Sequence, residues 1–179
     1  MKIFIASGSN ENIPKEYFEE TKNVCQKLCD LNMSLVFGTY LKGMMGQCYK
    51  TFKDNNKDIL GITIDAYHET NIEFKDIKVL EYSNSFQRLE NIFKESDLFL
   101  FLPGGTGSLG ELFGIMEELK TSKNQKKVII YNYNGFYNEI LDYLNILSKR
   151  GFAYENELNK LIIINNIDDL ERVIKNERN

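Results

Sequence analysis

Histidine and cysteine are scarce in this chain of 179 residues, with one histidine, His68, and three cysteines, Cys25, Cys29 and Cys48. Zinc takes four Cys, His or carboxylate ligands, so no metal site is expected. An odd, sparse cysteine count also argues against a disulfide framework. Cys25 and Cys29 are four apart and share one helical face. Half a metal site is one reading of them, and two small apolar residues on a buried stripe is the other. No run of Lys or Arg stands out, and the net charge is −4. Nucleic acid is therefore not an expected partner, because neutralising many phosphates needs an extended basic face. A pocket for one phosphate stays compatible with this charge. Long hydrophobic runs are missing as well. Met1–Ala6 is too short for a signal peptide, and nothing approaches the ~18 consecutive apolar residues of a membrane span. A cytoplasmic location without membrane contact is the expectation. Internal repeats, low-complexity linkers and composition breaks are absent, so residues 1–179 read as one domain.

What is present is an ordinary globular composition, 42% hydrophobic and 27% charged, which excludes disorder as the main state. Short apolar runs alternate with amphipathic stretches. Strands are expected at Lys2–Ala6, Ser34–Phe37, Asp58–Ile64, Ile77–Glu81, Asp97–Leu102, Lys127–Tyr131 and Leu161–Ile164. Helices are expected from Pro14 to Leu31, Gly43 to about Phe52, Ser85 to Lys94, Ser108 to Lys120, Phe136 to Ser148 and Asp168 to Ile174. No hairpin turn signals join the strands. The connections are then crossovers, and the fold class is α/β: a Rossmann-like, doubly wound parallel sheet of about seven strands with helices on both faces. Such sheets bind ligands beyond the carboxyl ends of their strands. That rule directs attention to Ser7–Asn10, Gly38–Gly46 and Pro103–Glu111. The stretch Asp65–Asp76, with His68, is the longest expected loop, a lid or a plain connection.

The segment from Asp97 to Lys120 reads DLFLFLPGGTGSLGELFGIMEELK. An apolar strand runs into a Gly-rich turn, and the turn opens a helix. Glycine lets a ligand approach the backbone amides closely. The first helical N–H groups lack internal partners and carry partial positive charge. Together these make an anion site. Ser108 and Glu111 also fit a capping box, with Ser108 as the N-cap. Leu109, Leu112, Phe113, Met116 and Leu119 mark the expected buried stripe, with Glu111 facing away at the mouth of the sheet. Capping alone would not require Gly104, Gly105 and Gly107. Gly105 to Gly110 also matches G-x-G-x-x-G, but no carboxylate ends the next strand, as a dinucleotide fold would need. A P-loop fails too, because no Lys-Ser or Lys-Thr follows the glycines.

The run from Pro103 to Glu111 resembles the P-G-G-x-G-T-x-x-E motif of the lonely-guy family of phosphoribohydrolases, proteins often labelled lysine decarboxylases. Arg88, in Ser85-Phe86-Gln87-Arg88-Leu89, is similar to the arginine that the family carries on the preceding helix. Ser7-Gly8-Ser9-Asn10 resembles its opening turn, and Gly43-Met44-Met45-Gly46 its G-L-M-G. Asn132 to Tyr137 resembles its N-x-x-G-Y-Y, and Gly151-Phe152 its later Gly-Phe. The chain departs from the pattern in places. Thr39 and Tyr40 stand where the family usually has glycines. Leu89 replaces a lysine, Ser108 a threonine, and Gly110 a glutamate.

The resemblance implies hydrolysis of the N-glycosidic bond of a nucleoside 5′-monophosphate, AMP or a cytokinin-type ribotide, to free base and ribose 5-phosphate. It implies no cofactor, and a homodimer with sites near the subunit interface. Glu111 and Arg88 would be catalytic. Gly104, Gly105, Thr106, Gly107 and Ser108 would hold the phosphate, with Ser7, Gly8, Gly43 and Gly46 beside the substrate. Breaking such a bond develops positive charge on the ribose, which a carboxylate can stabilise or exploit to activate water. Two other readings remain. A nucleoside deoxyribosyltransferase would pass the sugar to a second base. A nucleotide-binding or carrier module would hold its ligand unchanged. A lysine decarboxylase would need a Schiff-base lysine for its pyridoxal cofactor, and the turn holds none.

Overall fold

The computed structural model describes residues 1–67, 74–121, 126–153 and 158–177. Within them, seven strands form one parallel sheet in the order β4-β3-β2-β1-β5-β6-β7. The strands are β1 (Lys2–Ala6), β2 (Ser34–Phe37), β3 (Ile59–Ile64), β4 (Lys78–Tyr82), β5 (Leu98–Phe101), β6 (Lys127–Tyr131) and β7 (Leu161–Ile164). The helices are α1 (Lys15–Asp30), α2 (Gly43–Asp54), α3 (Ser85–Glu95), α4 (Thr106–Thr121), α5 (Asn138–Lys149) and α6 (Ile167–Asn176). The expected α/β architecture is therefore the observed one. His68 and the middle of the expected loop Asp65–Asp76 lie outside the described residues.

The strands read as continuous apolar runs because both of their faces are covered. Ile3, Ile5, Leu35, Phe37, Leu98 and Leu100 join one core with Val24, Cys25, Leu28 and Cys29 of α1, Cys48 and Phe52 of α2, and Leu170 and Ile174 of α6. The alternate residues Phe4, Ala6, Val36, Phe99 and Phe101 join a second core with Ile92 and Phe93 of α3 and Leu112, Ile115 and Leu119 of α4. A buried Phe or Leu contributes roughly 1.5–3 kcal/mol each. Truncating one such as Phe99 to Ala would cost about 3–5 kcal/mol.

The cysteines resolve as core residues. Cys25, Cys29 and Cys48 are free and buried, and burial pushes the Cys29 thiol up to about 11. Among the described residues no group of three or more His, Cys, Asp or Glu could hold a metal ion. Nor is any described helix long and apolar enough to cross a membrane.

Strand order reverses between β1 and β5. Winding runs outward from β1 to β4, then restarts on the other side at β5. The loops that leave β1 and β5 diverge there and open a crevice. Backbone bonds tie its rims. The Gly8 N–H donates to the Pro103 carbonyl at 3.0 Å, and the Met45 N–H donates to the Gly8 carbonyl at 3.2 Å.

Candidate active site

Each functional side chain is delivered by a helix start. Asn84 caps α3, its side chain accepting the Gln87 N–H at 3.0 Å. Such a cap contributes about 1 kcal/mol, and it fixes the turn that carries Arg88. The Arg88 Nε donates to the Ile62 carbonyl of β3 at 3.0 Å. Its Nη1 donates to Glu111 Oε1 of α4 at 2.7 Å. The two side chains are only 13% and 16% exposed, so this ion pair is far less screened than a surface one. Two residues 23 apart in sequence thus meet between α3 and α4.

The helix that carries Glu111 starts at Thr106, two residues before the expected start. The Leu109 N–H donates to the Gly105 carbonyl at 3.1 Å, which makes Gly105 the N-cap. Ser108 is consequently not a cap, and the capping box is not formed. Its side chain is buried, with Oγ 3.5 Å from the Ser7 carbonyl. The free amides of the first turn then belong to Thr106, Gly107 and Ser108. The buried stripe of α4 also shifts. Ile115 is buried where Phe113 was expected, and Phe113 is 44% exposed. The reason is that two buried turns of α4 point between α3 and the sheet, and Phe113 falls outside that arc.

A cavity of about 690 Å³ opens at this point, lined by Arg88 and Glu111 and by Gly105, Thr106, Gly107 and Ser108 from the turn. Ser7 and Ser9 enter from β1, Gly38, Tyr40 and Met45 from the β2 side, and Ser85, Phe86, Leu89 and Gly110 from α3 and α4. The volume is in the range of small-molecule sites.

Other expected site glycines stand just behind this wall. A Cβ at Gly104 would lie 2.3 Å from Ser108 Oγ, and one at Gly46 would lie 2.2 Å from the Leu41 carbonyl oxygen. Gly43 has φ +61 and no room against Ser9. Gly8 faces Ile13 in the same manner. Gly43 and Gly46 are required because backbone lies against them, whereas Gly8 and Gly104 are crowded by the side chains of Ile13 and Ser108. Gly105, Gly107 and Gly110 differ, because nothing lies within 4 Å of a Cβ built on them.

Tyr137 supports the turn from below, a role that motif spacing alone does not mark. Its hydroxyl donates to the Leu102 carbonyl at 2.6 Å, bracing the residue before Pro103. Burial pushes its pKa well up, so it stays a donor. Asn132 accepts the Tyr137 N–H at 2.7 Å and so holds the brace. The phenol of Tyr137 within the Asn132–Tyr137 run was the available signal.

A family described as possible lysine decarboxylase matches residues 45–175. The chain belongs to this family, the lonely-guy family. It is 26% identical over 153 residues to a cytokinin riboside 5′-monophosphate phosphoribohydrolase of Arabidopsis thaliana, covering 85% of this chain and 72% of that relative. A second such protein of the same plant is 24% identical over 156 residues, covering 87% and 73%. Among solved structures, the molybdenum cofactor carrier protein from Chlamydomonas reinhardtii superposes with a TM-score of 0.73 at 12% identity, covering 99% of this chain and 97% of that one. The molybdenum cofactor binding protein from the bacterium Rippkaea orientalis gives 0.68 at 15% identity, covering 99% and 97%. These likenesses show a shared fold. The lonely-guy pattern of this chain keeps the arginine and the glutamate, and the two are in contact.

Proposed function

We propose that this lonely-guy protein is a nucleoside 5′-monophosphate phosphoribohydrolase, cleaving the N-glycosidic bond to give free base and ribose 5-phosphate. The observation that carries this reading is the largely buried Arg88–Glu111 pair in the same cavity as the open N-terminus of α4. The amides of Thr106, Gly107 and Ser108 would take the 5′-phosphate, where helix polarity favours an anion. The ribose would then lie near Glu111, one turn along α4. Charge that develops on the sugar as the bond breaks would be met by that carboxylate, which also can activate water. Anchoring the phosphate makes the step effectively unimolecular, which is where much of the rate arises. Arg88, held by the Ile62 carbonyl, aims the carboxylate through its hydrogen bond to Oε1.

The names of the plant relatives support the hydrolase, and AMP and an isopentenyl-adenine ribotide are the substrates to try. No lysine lines the cavity among the described residues, so a pyridoxal Schiff base would have no donor there. The reading includes a homodimer. Phe86, Phe113, Phe136, Tyr143 and Phe152 are the exposed aromatic side chains from which such a face would draw. Buried free thiols suit a reducing, cytoplasmic compartment. A second reading is a nucleotide-binding or carrier module. It is favoured by the neutral Leu89 and Gly110 in the cavity wall and by fold neighbours that carry a cofactor. Incubation with AMP and analysis of products separates the two. Ribose 5-phosphate release supports the hydrolase, and bound but intact nucleotide supports the carrier.

A further inference from the structure

Glu111, Thr106, Ser108 and Ser7 line the cavity around the start of α4, Ser9 and Ser85 add two further hydroxyls, and Arg88 reaches from Glu111 across to Gly38. Toward the β2 side the wall is Gly38, Tyr40 and Met45, with Phe86 and Leu89 from α3. No Asn, Gln, Asp, Lys or His side chain lines it among the described residues. Those are the side chains, with Arg and Glu, that read base edges by paired hydrogen bonds. The one Arg is held at Nε by the Ile62 carbonyl and at Nη1 by Glu111 Oε1.

Tyr40 is placed by an unusual backbone. Thr39 has φ +69, a left-handed conformation that a β-branched residue rarely takes. Such strain persists only where the surroundings impose it. Here Gly61 of β3 leaves a notch: a Cβ there would stand 2.7 Å from the Thr39 methyl carbon Cγ2. Thr39 is 1% exposed and seated in that notch. The next residue, Tyr40, is thereby set against the cavity. From the mouth of β5 to that of β2 is two strand spacings, about 10 Å. A 5′-phosphate, its ribose and the ring of the base can together span that distance.

We propose that Tyr40 is the stacking platform for the base, and that the site takes nucleoside 5′-monophosphates as a class, purine and pyrimidine alike. The inference rests on the phosphoribohydrolase reading and deepens it. Every base offers a π face, so stacking on an aromatic ring tolerates any of them. An apolar wall discriminates weakly, whereas a site built to hydrogen-bond its substrate rejects analogues strongly.

The test measures kcat/KM for AMP, GMP, CMP and UMP, with adenosine alongside. It also measures Kd for the four nucleotides on the Glu111→Gln variant. The expected result is a spread within about tenfold across the four bases, as weak apolar discrimination allows. Tyr40→Ala raises KM for all four in parallel, about tenfold or more, and Tyr40→Phe rescues it by keeping the ring. Thermal unfolding of both variants checks that they fold. A preference above about a hundredfold for one base overturns the inference, as does a Tyr40→Ala protein with unaltered KM and Kd. Similar Kd values for the four nucleotides without release of any base would leave the base tolerance standing and remove the hydrolase. No binding of any nucleotide removes both.

Discussion

Gly38 and Arg88 share one small volume: a Cβ on Gly38 would lie 2.7 Å from the Arg88 Nη2. The guanidinium cannot swing aside freely, since Nε is held by Ile62 and Nη1 by Glu111. Gly38→Ala should therefore push the arginine off its carboxylate rather than unfold the chain. Misplacement by about 1 Å can cost on the order of a hundredfold in rate. The expected outcome is a kcat lowered about that much, with thermal stability changed by less than about 1 kcal/mol. Steady-state kinetics and a melting curve check both halves.

The two glycines that line the cavity inside α4 give a split effect. A Cβ on Gly107 or Gly110 meets no protein atom within 4 Å. Replacing glycine by alanine inside a helix stabilises it by roughly 0.5–1 kcal/mol. Gly110→Ala should thus raise the melting temperature. Gly107→Ala, beside the amides that would take the phosphate, should raise KM about tenfold, a loss of about 1.4 kcal/mol in binding. An unchanged KM would mean that the turn does not close on a ligand.

Gly61 on β3 makes the opposite prediction. Added atoms there would stand 2.7 Å from Thr39 Cγ2 and 3.1 Å from Val79 Cγ2. Overpacking of this kind costs about 1–3 kcal/mol. Gly61→Ala should lower stability by that amount in denaturant titration and also raise KM, by displacing the loop that bears Tyr40.

Acid stability has a readable contribution. Lys175 and Lys27 approach Glu171 at 2.7 Å and 2.9 Å, and they hold its carboxyl at about 2, below the usual 4.5. A depressed carboxylate adds stability above its unfolded pKa and loses it as pH falls through the folded value. The loss thus falls between about 4.5 and about 2. Glu171→Gln should flatten the stability profile in that window, read by unfolding at a series of pH values. The effect is small and weakens with salt, because the groups are partly exposed.

Much of the fold was legible because its strands are buried on both sides. Runs such as Leu98–Phe101 need no alternation when Phe99 and Leu100 enter different cores. Helix ends were less legible. α4 starts at Thr106 because Gly105 caps it, and the pattern of Ser108 and Glu111 imitates a cap that is not made. α5 starts at Asn138 after a 3₁₀ turn at Tyr133–Gly135, in which Asn134 takes φ 52. Periodicity alone carries the helix back to Phe136. In the site, Arg88 and Glu111 could be named from motifs, but their contact depends on how α3 lies beside α4. Phe86 and Met45 could not be named, since an apolar residue in a cavity wall looks like core in one dimension.

If Glu111 breaks the glycosidic bond of a nucleotide held at the start of α4, removing its charge must end turnover and spare binding. The most direct test is product analysis of the wild type and Glu111→Gln with AMP and with an isopentenyl-adenine ribotide. Free base and ribose 5-phosphate are expected from the wild type, and none from the variant, which still binds nucleotide. Equal turnover by both proteins, or intact nucleotide bound by both, would contradict that role of Glu111.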